Sequence, residues 1–406
     1  MTASVTMIDA VERAARNRFA TIIVVGHALK HLLMSGVYSV LIPEIKISLG
    51  LSATQVGALG TTGQLTGWLA TMSAGYLGDR FTRRTNLMLG ISLAMTAASL
   101  LIMSIAPDYG VLILATLFMG FGPSMFHPPA VGALSRRFAD RRSFAISLHG
   151  TGGSIGEVLG PLTAAGLLSL LYWRDVLRFE FVIGIIGALL MWRLLDASGA
   201  KDSEHGASLR AYIGAFFELL KQKALLLLFL VTGLRAVGQA VTTVFLPIYM
   251  REDLGYSAAL VGGYIALSQL AGIGSQPVMG LLADRLGHKA VILPAMIGFA
   301  LVLALIPLAD GKAQLAVVIL ALGFFVFSMQ SILTSAAVEL AGENVHSTVV
   351  SLVYAAGFIG SLSPTIAGIL ADAYGLQSTF VFSATVVAVG AAILAFTRLP
   401  RRGLLP

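Results

Sequence analysis

Apolar runs of 17 residues or more, nearly free of charge, recur along this chain from its first quarter to its end. At about 1.5 Å of rise per helical residue, each is long enough to cross roughly 30 Å of hydrocarbon. Twelve such spans are expected: 19–42, 56–77, 87–105, 111–134, 144–171, 179–195, 224–248, 260–282, 291–308, 315–338, 349–370 and 380–396. Inside lipid every backbone polar group must be satisfied within the chain, so the spans are helices and the fold class is all-α integral membrane. Composition agrees, because 57% hydrophobic and 12% charged residues leave more apolar surface than a soluble domain can bury. With no cysteine, disulfides and thiolate metal centres are excluded. The charged start (Asp9, Glu12, Arg13, Arg16, Arg18) runs into an apolar stretch with no small-residue cleavage site, which reads as an uncleaved first span.

The formal charge of +7 does not point to nucleic acid, because the basic residues sit in short clusters between spans. With the N-terminus in the cytoplasm, twenty of the 27 Lys and Arg fall inside, five outside and two within spans. The positive-inside rule therefore places both termini in the cytoplasm and the chain in the cytoplasmic membrane. The longest polar stretch, Asp196 to Arg210, lies at mid-chain, and Ser208 to Lys223 after it carries apolar residues at helical spacing. The expected division is a bundle over 1–195, a cytoplasmic link with an amphipathic helix over 196–223, and a second bundle over 224–406.

The halves repeat. GYLGDRFTRR (Gly75 to Arg84) follows the second span and GLLADRLGHK (Gly280 to Lys289) follows the eighth, 205 residues later. A weaker echo joins Val40–Pro43 (VLIP) to Val244–Pro247 (VFLP). The paired loops resemble the loop signature of the major facilitator superfamily, with Thr82 and His288 as departures from its usual pattern. The resemblance implies two pseudo-symmetric six-helix bundles and alternating access. It also implies that Gly75, Asp79, Arg80, Arg84, Gly280, Asp284, Arg285 and Lys289 form conformational latches. Gly152, Gly156, Gly160 and Pro161 in the fifth span resemble part of the superfamily's antiporter signature, although glycines at four-residue spacing also serve simple close packing.

Two cations lie within spans, Lys30 in the first and Arg235 in the seventh, again 205 residues apart. Each sits about 18 Å into its span, where a charge is costly enough to be a site hypothesis by default. The pair resembles the organophosphate exchangers of the superfamily, in which paired arginines hold phosphate, and implies an anionic substrate. Lys lacks the bidentate fork of Arg, so phosphate itself does not carry over. His27, His31 and Tyr38 share the helical arc of Lys30 and join the expected substrate site. In the fourth span Pro123, Pro128 and Pro129 predict a broken helix at depth, with His127 at the break and His149 at similar depth on the next span. Phe126-His127-Pro128 resembles the fosmidomycin-resistance group of exporters. Glu157, the carboxylate nearest mid-membrane, is expected with His127 and His149 to carry protons.

The sequence thus describes a monomeric secondary transporter of a small organic anion, coupled to protons, without catalytic residues, metal or cofactor. No G-x-x-x-x-G-K-[ST] loop is present, so a gradient drives it. The alternatives are a proton-coupled exporter of cationic or amphipathic drugs, a non-transporting receptor on the same fold, and an intramembrane metalloenzyme. The last needs a third metal ligand beside His27 and His31.

Overall fold

The computed structural model describes residues 10–195, 214, 221–341 and 356–396. The expected linker, most of its amphipathic helix, and both termini lie outside the described residues. All twelve spans are found as helices, the eleventh in part. The first runs from Ala10 to Leu49, and the second to sixth are Ala53–Arg80, Thr85–Ile105, Tyr109–Ser124 with His127–Arg137, Arg142–Leu168 and Trp173–Leu194. The seventh to tenth are Lys223–Glu252, Ala258–Leu286, His288–Leu305 and Lys312–Ala341. Gly357–Ser361 with Ser363–Tyr374 forms the described part of the eleventh, and Gln377–Phe396 is the twelfth. Eight helices are apolar and long enough to cross a membrane by length and composition alone. The second, fifth and sixth spans are not among them, because glycine, hydroxyl and charged residues dilute their apolar content, and neither is the eleventh, of which only part is described.

Packing repeats as the sequence does. In the first half the first span packs on the fifth, the second on the fourth and the third on the sixth. In the second half the seventh packs on the eleventh, the eighth on the tenth and the ninth on the twelfth. The halves meet where the second span crosses the eleventh and the fifth crosses the eighth.

Among the described residues three spans depart from plain helix, each at proline, the eleventh breaking at Leu362 ahead of Pro364. Pro43 has no N–H for the carbonyl of Ser39, and the first span answers with a π turn over Val37–Leu41, in which the Ile42 N–H bonds to the Val37 carbonyl. The fourth span breaks at Met125 and Phe126 as expected, with Pro123 inside its first part and Pro128 and Pro129 opening its second. Pro247 of the echo motif lies within an unbroken seventh span, so the repeat in sequence is not matched by a second π turn.

Polar bonds between the halves gather at the end away from the motif loops. Lys46 donates to Glu252 (2.7 Å) and Arg251 to Glu44 (2.5 Å), so the first and seventh spans exchange two ion pairs. The start of the second span is capped across the interface. Asp372 of the eleventh span accepts the Ala53 N–H (2.8 Å), the Thr54 N–H (2.9 Å) and the Thr54 hydroxyl (2.6 Å). The Ser52 side chain takes the Gln55 N–H (3.1 Å) and the Gln55 side chain takes the Ser52 N–H (2.9 Å). All four N–H groups left free at a helix start are thereby satisfied, two of them by the other half. Loss of a cap costs ~1 kcal/mol, so Asp372→Ala is expected to shift the population open at this end by about fivefold. Spin-label distances between the second and eleventh spans measure it, and an unchanged distribution would mean that the cap does not hold this end shut.

Candidate functional site

The polar centre of the first half is built by glycine. A Cβ at Gly152 would stand 2.5 Å from the carbonyl of Val24, and Cβ atoms at Gly156 and Gly160 would overlap the carbonyl of Ala28 and the hydroxyl of Ser35. The fifth span thus lies backbone to backbone on the first at four-residue steps. A Cβ at Gly153 would stand 2.6 Å from the His27 ring and 3.1 Å from that of His31, so this fourth glycine makes room for both imidazoles.

In that space four histidines meet, as no sequence spacing had joined them. His27, Lys30, His31 and His149 are buried. The His27 ring stacks on His149 at 3.7 Å between centroids and meets His31 and His127 edge-on at 4.6 Å each. His27 Nδ1–H donates to the His149 carbonyl (2.6 Å). Its Nε2 faces His31 Nε2 at 3.1 Å. Lys30 Nζ donates to His127 Nε2 at 2.8 Å, and His127 Nδ1 lies 3.4 Å from His149 Nε2. The break in the fourth span is what aims His127 here. Ser92 of the third span donates to the carbonyl of Gly122 at the break (2.6 Å), which also takes the Met125 N–H (3.2 Å).

Glu157 comes within 3.1 Å of His31 Nδ1. A second carboxylate is more deeply buried. Glu180 is 1% exposed, with neither oxygen hydrogen-bonded, beside Gly36 where the π turn begins. A buried carboxyl without a partner is costly. The reading missed it because Arg174, Asp175 and Arg178 before it look like loop, whereas the sixth span already starts at Trp173. Tyr38 is not brought to the histidines, for its hydroxyl lies beside Gly63 of the second span.

In the second half Arg235 is 2% exposed. It donates to the Val326 carbonyl (2.8 Å) and to the side chains of Gln239 (2.6 Å) and Gln330 (3.0 Å). Lys30 and Arg235 each thus reach the fourth span of their own half, and among the described residues neither pairs with a carboxylate. Gln239 and Gln330 were legible as lone amides in apolar spans, Gln239 one turn beyond Arg235.

The motif loops are less tightly built than expected. A Cβ at Gly75 or Gly280 would meet nothing within 4 Å, and the close approach at that end is Gly78 against Pro129 (3.2 Å). Arg80 donates to the Tyr76 hydroxyl (3.0 Å), Arg84 lies over the Phe81 ring, and Lys289 donates to the Ala395 carbonyl (2.8 Å). Arg285 is exposed, Asp284 lies on the last turn of the eighth span, and the side chain of Asp79 is outside the described residues.

The sequence profile of the Major Facilitator Superfamily matches residues 26–363 and 228–405. The fosmidomycin resistance protein of Escherichia coli is 22% identical over 370 residues, covering 89% of each chain. A probable sulfoacetate transporter of Cupriavidus necator is 23% identical over 382 residues, covering 87% of each. The crystal structure of the nucleoside transporter NupG superposes with a TM-score of 0.77 over 93% of this chain and 98% of its own, at 16% identity, a likeness of fold. The chain belongs to the major facilitator superfamily and is a membrane transporter, not an enzyme.

Proposed function

We propose that this transporter moves a small organic anion by secondary active transport, rocking a bundle over 1–195 against one over 224–406. The observation that carries the reading is the bonding of Lys30 and Arg235. Both are buried at repeat-related positions, and both are held by neutral groups: an imidazole in one case, two amides and a carbonyl in the other. A buried cation without a counter-ion is costly, and an anionic substrate supplies the missing charge. The relative named for sulfoacetate, an organic anion, supports the same class. Glu157, His127 and His149 stand beside Lys30 in this reading as the groups through which protons couple. The excess of basic residues in the loops supports cytoplasmic termini and the cytoplasmic membrane as its place, and one chain supplies both halves of the site, so it works as a monomer.

Lys30→Gln and Arg235→Gln are each expected to lower uptake of organic anions into proteoliposomes by about tenfold or more, since a hydrogen bond to a charged group contributes ~1.5–3 kcal/mol. A panel starting with sulfoacetate is the assay, with thermal unfolding as the check on folding. Undiminished uptake by both variants would end the anion reading.

The loop motifs act as latches for the opposite state. Ion pairs and the Asp372 cap hold one end shut, while open space at Gly75 and Gly280 leaves room for the halves to close at the other. A Cβ at either position meets nothing within 4 Å, and the branched side chains of Gly75→Leu and Gly280→Leu would fill the space into which the halves close. Both are expected to hold spin-label distances at the motif end long when substrate is added, while the parent protein shortens. Equal shortening in the variants would reduce the loops to topology signals.

A further inference from the structure

The histidine cluster holds an unusual confrontation of ring nitrogens. His27 Nδ1 must carry its hydrogen, because its partner at 2.6 Å is the His149 carbonyl, an acceptor. In a neutral ring Nε2 of His27 is then a lone pair. The Glu157 carboxylate 3.1 Å from His31 Nδ1 favours the hydrogen there as well, which leaves Nε2 of His31 as a second lone pair. With both rings in these tautomers, the two lone pairs face each other at 3.1 Å. Two acceptors do not attract without an electrophile between them, and ligands of a tetrahedral ion at ~2.0–2.1 Å stand roughly 3.4 Å apart. A third imidazole is at hand, for donor nitrogens of His27, His31 and His127 all lie within 4.8 Å of one another.

We propose that His27, His31 and His127 form a site for a divalent transition-metal ion of the zinc, cobalt and nickel class. Three neutral imidazoles suit such ions and not Mg²⁺ or Ca²⁺, which prefer oxygen. The outer shell is in place, with the His149 carbonyl orienting one ligand and the Glu157 carboxylate beside the second. His127 opens the second part of the broken fourth span. Its Nε2 now accepts from Lys30, so the lysine ammonium occupies the third donor as a resident cation and the metal ion displaces it. Lys30 and the ion therefore compete. The proposal goes beyond the anion reading and does not depend on it.

The test uses tag-free full-length protein in detergent, stripped with a chelator and titrated with Co²⁺, with the d–d absorption as readout and Zn²⁺ as competitor. A single saturable site with tetrahedral-type bands is expected, displaced by Zn²⁺ and indifferent to Mg²⁺. His27→Gln and His31→Gln should each weaken Co²⁺ binding by ~100-fold or more, and Glu157→Gln by about 10–100-fold as an outer-shell loss. Lys30→Gln should tighten it, the opposite sign to its effect on anion uptake, so the failure of one reading is not mistaken for failure of the other. Absence of Co²⁺ bands in protein that unfolds at the parent's temperature overturns the site and leaves a hydrogen-bonded chain of histidines. Binding that survives both histidine substitutions overturns it too, and a Lys30→Gln variant that binds no more tightly removes His127 as ligand.

Discussion

The contact on which the site depends is the bare backbone crossing of the first and fifth spans. In lipid there is no hydrophobic gain from bringing two apolar helices together, so close approach has to come from shape and from polar contacts. Gly152, Gly156 and Gly160 provide the shape, each facing a carbonyl or hydroxyl of the first span one turn apart. Only at that separation does the His149 carbonyl reach the His27 ring and the Glu157 carboxylate reach His31. A motif that resembles an antiporter signature thus has a mechanical meaning here. It sets the distance at which five ionisable side chains of the first and fifth spans share one buried volume.

The repeat is kept in architecture and dropped in chemistry. Corresponding spans pack in corresponding pairs, and the two buried cations both reach the fourth span of their half. Their partners differ. Lys30 meets an imidazole at a broken helix, whereas Arg235 meets two amides and a backbone carbonyl on an unbroken one. Glutamine amides offer fixed dipoles and no ionisable group, while the histidines of the first half exchange both hydrogens and lone pairs. Around the two buried cations the ionisable neighbours belong to the first half, whereas Arg235 is held by neutral groups.

The spans, their order and the break at Pro128 and Pro129 were legible in the sequence, because apolar length and missing backbone donors are local properties. So were Lys30 and Arg235, since a charge in an apolar run needs no neighbour to be noticed. What escaped depends on contacts between distant segments. His27 and His149 stack across 122 residues, the Asp372 cap spans more than 300, and Glu180 is buried because the sixth helix starts before its charged first turn ends. The π turn was hidden for another reason. Pro43 and Pro247 sit in matching motifs, and the proline alone does not say which helix will absorb its missing bond by widening.

The division of polar contacts between and within halves bears on how such a molecule can work. Every side chain of the histidine cluster comes from the first, fourth and fifth spans, so relative motion of the halves leaves its bonds intact. The bonds of Glu44, Lys46, Arg251, Glu252 and Asp372 cross between halves and must break when that end opens. Fully exposed pairs contribute ~0.2–1 kcal/mol each; these two are partly buried, and two such pairs remain within reach of a bound ligand's differential affinity. An anion that touched Lys30 alone would bind equally well in both states and shift nothing. One that bridges Lys30 and Arg235 binds best in the state that sets the two cations at its own length. On the anion proposal, coupling of binding to motion requires both cations, one from each half.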